Sequence, residues 1–295
     1  MASISEEIKK IYKQGGYEIR FIFFNVAVFL FIKLVELYLY LYNKSGDLDL
    51  LVRELKLPAD LNRLAETFWT PLSYQFLHVD FLHILFNMLV LYWFGKIFTS
   101  FIGNKRFPWV YILSGLSGGL FYVLAYNLFP IFEKNIAIAT VLGASASVMG
   151  IMFAAAAYAP DLNIRMFLFG TVKLKYIALI MAVVDLITIT DSNPGGHIAH
   201  LGGAVFGFMY GLSIKPKGIF FSFWIQVQKF FTIKKRKPRM KVSYKKTVSD
   251  DEYNKQRAQK QKRTDTILDK ISQQGYESLT KEEKEFLFKQ GKDKK

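Results

Sequence analysis

Six apolar stretches, each at or near the length that lets a helix cross a bilayer, limit what this chain can fold into. A hydrocarbon core of roughly 30 Å takes about 20 residues of helix. The stretches run from about Phe21 to Tyr42, Phe81 to Phe101, Trp109 to Leu128, Ile136 to Tyr158, Tyr176 to Ile189 and His197 to Ile214. The fifth is the shortest, and the apolar residues from Met166 to Val172 ahead of it read as interfacial. No region alternates as barrel strands do, so helices must satisfy the backbone inside lipid. With 52% hydrophobic and 16% aromatic residues, the composition is also unlike that of a soluble domain. The expected fold class is therefore an all-α polytopic membrane protein, a bundle of six transmembrane helices.

Charge divides the chain further. Most of the net +15 lies in a tail after Lys215, while the middle is nearly free of charge. That asymmetry suits a membrane core with a basic soluble appendage and argues against a nucleic-acid partner. The expected domains are a cytoplasmic segment over 1–20, a transmembrane domain over 21–214 and a basic cytoplasmic tail over 215–295. Met1 to Gly15 is polar and lacks a short apolar core with a cleavage site, so no cleaved signal peptide is expected. Cysteine is absent, which removes disulfides, thiol catalysis and Cys-ligated metals.

Basic residues alternate between loops. Lys96, Lys105 and Arg106 flank the end of the second stretch, and Arg165, Lys173 and Lys175 follow the fourth. Asn43 to Asp80 is net acidic. The positive-inside rule then places both termini in the cytoplasm of a cell membrane. Lys33 and Glu36 lie three apart within the first stretch and are expected to pair on a face turned to the bundle.

The remaining polar residues cluster where stretches two, four and six begin. His83 and Asn87 are four apart and share a face. Ser145 and Ser147 open the fourth stretch, and His197 and His200 open the sixth. All three stretches run inward from the same side, so the clusters sit at a similar depth. Each residue has a bland alternative: a back-bonded serine, an interfacial histidine, an asparagine that glues helices. Gly203, Gly207 and Gly211 recur every four residues, and the fourth stretch carries small residues at Gly143, Ala144, Ala146, Gly150 and Ala154 to Ala157. Such faces let two backbones approach closely, as a bond of roughly 3 Å from Ser145 to His200 requires.

These residues resemble the rhomboid family of intramembrane proteases. His83-Ile84-Leu85-Phe86-Asn87 resembles its HxxxN motif, Gly143-Ala144-Ser145 its GxS motif, and Ala199-His200-Leu201-Gly202-Gly203 with Gly207 its AHxxGxxxG motif. His78 and the Trp69-Thr70-Pro71-Leu72 stretch also fit. The resemblance covers about Phe21 to Ile214 and implies a rhomboid-like six-helix bundle. It implies a Ser-His dyad, Ser145 as nucleophile and His200 as base, with His83, Asn87 and the Ser145 N–H stabilising the oxyanion. Ser147 and His197 are the rival nucleophile and base, and the motif registers select Ser145 and His200. Asp191 is the one acid considered for orienting His200, on a loop. The departures are Ala146, where the family has Gly, and Met149, where an aromatic often packs under the histidine.

The substrates implied are transmembrane segments of other membrane proteins, unwound locally for cutting. Ser73, Gln75 and His78 are expected to line a wet vestibule. Neither a cofactor nor a metal is implied, since the histidines have no carboxylate or HExxH partner. A catalytically inactive rhomboid-like protein that binds membrane clients is one alternative, and a small transporter is another. In the tail, Lys234 to Lys246 is a basic run that suits anionic lipid or a solvated linker. Ile267, Leu268 and Ile271 suggest a short amphipathic helix ended by Gly275, and Thr280 to Glu283 reads as a capping box for a second. Similar tails occur in some bacterial rhomboid-like sequences.

Overall fold

The computed structural model describes residues 3–166, 170–191, 193–215 and 249–292. It divides into two compact units, Met1–Ile233 and Lys234–Lys295. The first opens with helix α1 (Ile4–Gln14), whose N-terminus is closed by a capping box between Ser3 and Glu6. Helix α2 (Tyr17–Leu41) follows and is mostly apolar, with Lys33 and Glu36 among its few charged residues. Three short helices, α3 (Ser45–Arg53), α4 (Leu61–Glu66) and α5 (Thr70–Ser73), fold the long loop that precedes α6 (Phe81–Phe98). A π turn, Thr99–Gly103, separates α6 from α7 (Phe107–Leu128). Helices α8 (Ser145–Tyr158), α9 (Leu174–Ile187) and α10 (Pro194–Ser213) complete the unit.

The unit is mostly helical, as expected, but not purely so. Leu57–Pro58 (β1) pairs antiparallel with Thr140–Val141 (β2), and Asn163–Met166 (β3) pairs with Gly170–Lys173 (β4). The β3–β4 hairpin takes the place expected for an interfacial segment; residues 167–169 lie outside the described residues. The β1–β2 pair corrects the fourth stretch. Residues from Ile136 to Ala144 were expected in its helix, yet α8 begins only at Ser145. Ile136 follows a 3-10 turn, Pro130–Asn135, and Thr140–Val141 are drawn off into a strand that pairs with the distant Leu57–Pro58.

By length and composition, two helical stretches can cross a membrane: Tyr17–Leu41 and the run Phe81–Leu128, which contains both α6 and α7. The expectation of six such spans meets that measure only there. Large apolar side chains nevertheless lie exposed outside them too, among them Leu179, Ile180, Val183 and Ile187 of α9.

Helix α8 is the hub. Its most extensive contact is with α10, and α7 and α6 also pack on it. Ala154, Ala155 and Ile151 of α8 are fully buried. A Cβ added to Gly203, Gly207 or Gly211 would collide with the backbone of Ala146, Gly150 or Ala154 respectively. The three contacts advance together by four residues, so α8 and α10 run parallel with their backbones in direct touch. Helix α7 runs antiparallel to α8, with Gly118 against Ala146 and Ser114 against Gly150.

Lys33 and Glu36 do pair, at 2.7 Å, but their side chains are 40% and 44% exposed, so the pair stands on the outer surface instead of facing the bundle. The core side of α2 is occupied by Asn25, Phe29 and Ile32.

The second unit is a helical hairpin, α11 (Asp250–Gln274) and α12 (Lys281–Lys292). Gly275 ends α11 at φ 76°, a left-handed conformation that a side chain would strain. Glu283 caps the Thr280 N–H at 2.8 Å and pairs with Lys270 at 3.0 Å. The Thr280 amide, and after it Lys270, hold the Glu283 carboxyl below the usual carboxylate range. The expected short helix is in fact 25 residues long. The basic run Lys234 to Lys246 lies outside the described residues.

Candidate active site

Ser145 is the first residue of α8, half-buried. The chain reaches it through Gly143, whose φ of 121° admits glycine alone. The Gly143 N–H donates to Tyr74 O at 2.8 Å, tying this turn to the loop before α6. A Cβ on Gly143 would lie 2.8 Å from the His83 ring and 3.7 Å from Ser145 Oγ. The glycine of the GxS pattern therefore has two physical reasons: its backbone angle, and the ring that lies against it. His83 and Ser145 both border that space.

His83 and Asn87 stack on α6 as their spacing predicts. Asn87 donates from Nδ2 to His83 O at 2.9 Å. His78 is fully buried, its ring centroid 5.1 Å from that of His83. Its Nε2 accepts from the Ala144 N–H at 3.4 Å. Burial, and after it the neighbouring His83, lowers the His78 pKa to about 4, so the ring stays neutral and able to accept. Gln75 is also fully buried and accepts from Ser147 Oγ at 3.2 Å. Ser73 donates to Leu55 O. Gln75 and His78 thus brace the loop against the start of α8 from inside, where a wet vestibule was expected, while the half-buried Ser73 ties the loop to itself. Ser147, the rival nucleophile, is spent on the same bracing and is fully buried.

His200 lies three residues ahead of Gly203 on the same face of α10. Gly203 touches Ala146, the neighbour of Ser145, so the parallel packing brings His200 to the level of Ser145. Among the described residues no hydrogen bond joins the two side chains. Met149 is buried in the core beside Val148 and Met152. Ser117 of α7 donates to Gly202 O at 2.9 Å and fixes α10 from its other side.

The residue that spacing missed is Asp185. It sits near the end of α9, 5% exposed, and its Oδ1 accepts from His200 Nδ1 at 2.8 Å. An ionised carboxylate only accepts, so His200 carries its proton on Nδ1 and presents a bare Nε2 on the far side of the ring. His197 Nδ1 reaches the same oxygen, also at 2.8 Å, and lies 3.2 Å from Thr188 Oγ1. Among the described residues, nothing partners the buried Asp185 Oδ2. Asp191, the acid expected near His200, is exposed and forms no bond with it. One sequence signal could have found Asp185: it is the one acid in α9 and the one charged residue past Lys175, and a buried charge needs a reason.

The Rhomboid domain matches residues 65–217, more than half of the chain. A family of unknown function (DUF6576) matches residues 247–290, the helical hairpin. Rhomboid protein 1, mitochondrial, of Saccharomyces cerevisiae is 28% identical over 138 residues, 46% of this chain and 39% of the relative. Presenilin-associated rhomboid-like protein A, mitochondrial, of Danio rerio is 30% identical over 140 residues, 46% of this chain and 35% of the relative. RHOMBOID-like protein 12, mitochondrial, of Arabidopsis thaliana is 27% identical over 144 residues, 46% and 43%. The chain spans well under half the length of these relatives. With a matching domain that takes in α5 to α10 and holds Ser145, His83 and His200, this chain belongs to the rhomboid family.

Proposed function

We propose that this protein is an intramembrane serine endopeptidase that cuts transmembrane segments of other membrane proteins. The observation that supports the reading is the glycine-faced contact of α8 with α10, which sets the helix start carrying Ser145 beside the turn carrying His200, together with the bond from His200 to Asp185. His200 Nε2 takes the Ser145 hydroxyl proton, and Ser145 Oγ attacks the scissile carbonyl. The first N–H groups of α8 have no partner within the helix, and with His83 and Asn87 they receive the developing oxyanion. Asp185 acts through His200, holding its tautomer and balancing the imidazolium, so the expected dyad gains a positioning carboxylate. The bond from Ser145 to His200 is expected to form in the substrate complex, where catalytic bonds often tighten.

The bundle is read as six helices, α2, α6, α7, α8, α9 and α10, within the 21–214 domain, flanked by the 1–20 segment and the 215–295 tail. The shorter helices reach lipid through the exposed apolar side chains of α9 and its neighbours. The loop charges favour both termini on the cytoplasmic side of a cell membrane. The relatives quoted above are mitochondrial by name, and the loop charges bear on the orientation alone.

Purified chain and Ser145→Ala, each mixed with a model transmembrane substrate in liposomes, test the reading. Cleavage by the first alone supports it. A protein that cuts nothing and forms no adduct with a serine-directed phosphonate is instead a client-binding relative.

A further inference from the structure

We infer that Asp185, His197 and His200 form a divalent-metal site, with zinc the metal it suits best, and that zinc there switches the proposed base off. The switch rests on the protease reading above; the binding does not. Histidines three apart on α10 present both Nδ1 atoms to one carboxylate of α9. The three ligand atoms lie within 4.8 Å of one another. In a tetrahedral zinc site with bonds of about 2.1 Å, ligand atoms sit about 3.4 Å apart. The two nitrogens are each 2.8 Å from Asp185 Oδ1, so a small widening seats the ion. Two imidazoles and a carboxylate are a zinc donor set, with the fourth position left to water. The partnerless, buried Oδ2 of Asp185 gives the carboxylate a second oxygen to turn toward the ion. The histidine side chains are 22% and 23% exposed, which leaves a way in.

The consequence follows from the tautomer. His200 now holds its proton on Nδ1, against Asp185. A metal on Nδ1 moves that proton to Nε2, with no net release from the neutral ring. Nε2 is the atom that must accept the Ser145 proton, and it is then blocked.

The test uses the full chain in detergent, untagged and stripped with a chelator, then dialysed against zinc chloride. We expect one tightly held zinc per chain, released by the chelator. His197→Gln and Asp185→Asn should hold none, while Asp191→Asn, an acid outside the cluster, should hold it as the parent does. His197→Gln is the variant least exposed to misfolding, and its melting temperature serves as the check. No zinc above the His197→Gln level in the parent, or equal zinc in all four proteins, overturns the site. Zinc should lower cleavage by the parent at least tenfold and leave His197→Gln unaffected. Cleavage that zinc does not change at full occupancy overturns the switch. If no variant cuts any substrate, the protease reading fails while the binding result still stands or falls alone.

Discussion

Replacing Asp185 with Asn asks whether the buried carboxylate positions the proposed base. The structure sets the size of the effect. One charge-assisted bond of 2.8 Å joins Asp185 to His200, in a site where the side chain is 7% exposed. Such a bond is worth about 1.5–3 kcal/mol. If that energy is realised only when His200 becomes cationic in the transition state, kcat falls by about 10- to 150-fold. The amide can also donate to Nδ1 and pull the proton to Nε2, which adds to the loss. Substrate binding should change little, because Asp185 lies behind the histidine and away from Ser145. The assay is steady-state cleavage of a fluorogenic transmembrane substrate in liposomes, with kcat and KM separated. Asp185→Glu retains the charge and should recover part of the rate, whereas a merely structural role would not distinguish Glu from Asn at equal stability. An Asp185→Asn protein with parental kcat refutes the reasoning, and so does a loss confined to KM.

Three other outcomes are expected. Gly207→Ala puts a methyl against the Gly150 backbone, which cannot yield; overpacking of this kind costs about 1–3 kcal/mol, read as a lower melting temperature in detergent and a slower cut. Ser147→Ala breaks the bond to Gln75 and should destabilise by about 1 kcal/mol while still labelling with a serine-directed probe, as the proposed role of Ser145 requires. Burial lowers the His78 pKa from 6.5 to about 4, so the unfolded chain binds its proton first as pH falls. Stability should therefore drop between pH 6.5 and 4, by about 2 kcal/mol at pH 5, and His78→Gln should flatten that part of the melting profile.

Much of the site was legible because its determinants are local. The register of Gly203, Gly207 and Gly211 predicts close approach to a small-residue helix, and the structure pairs them with Ala146, Gly150 and Ala154. Gly143 two residues before Ser145 is explained by one positive φ. What escaped depends on partners far away in the chain. The start of α8 was misplaced because Thr140 and Val141 pair with Leu57 and Pro58, and an apolar run does not reveal such a pairing. Asp185 was hidden inside a stretch read only for its hydrophobicity, fifteen residues from the histidine it binds. Lys33 and Glu36 were correctly paired but wrongly faced, because spacing fixes their mutual distance and says nothing of which side α2 turns inward. The length of α11 was underestimated because its first half carries almost no apolar residue to mark a period.

The central claim is that Ser145 is a nucleophile activated by His200. The most direct measurement is mass-spectrometric mapping of the adduct that a fluorophosphonate forms with the purified protein in liposomes. The account predicts a single modified residue, Ser145, with labelling abolished in Ser145→Ala and strongly slowed in His200→Ala. An adduct on Ser147 or any other serine, or Ser145 labelling that persists at the parental rate in His200→Ala, contradicts it.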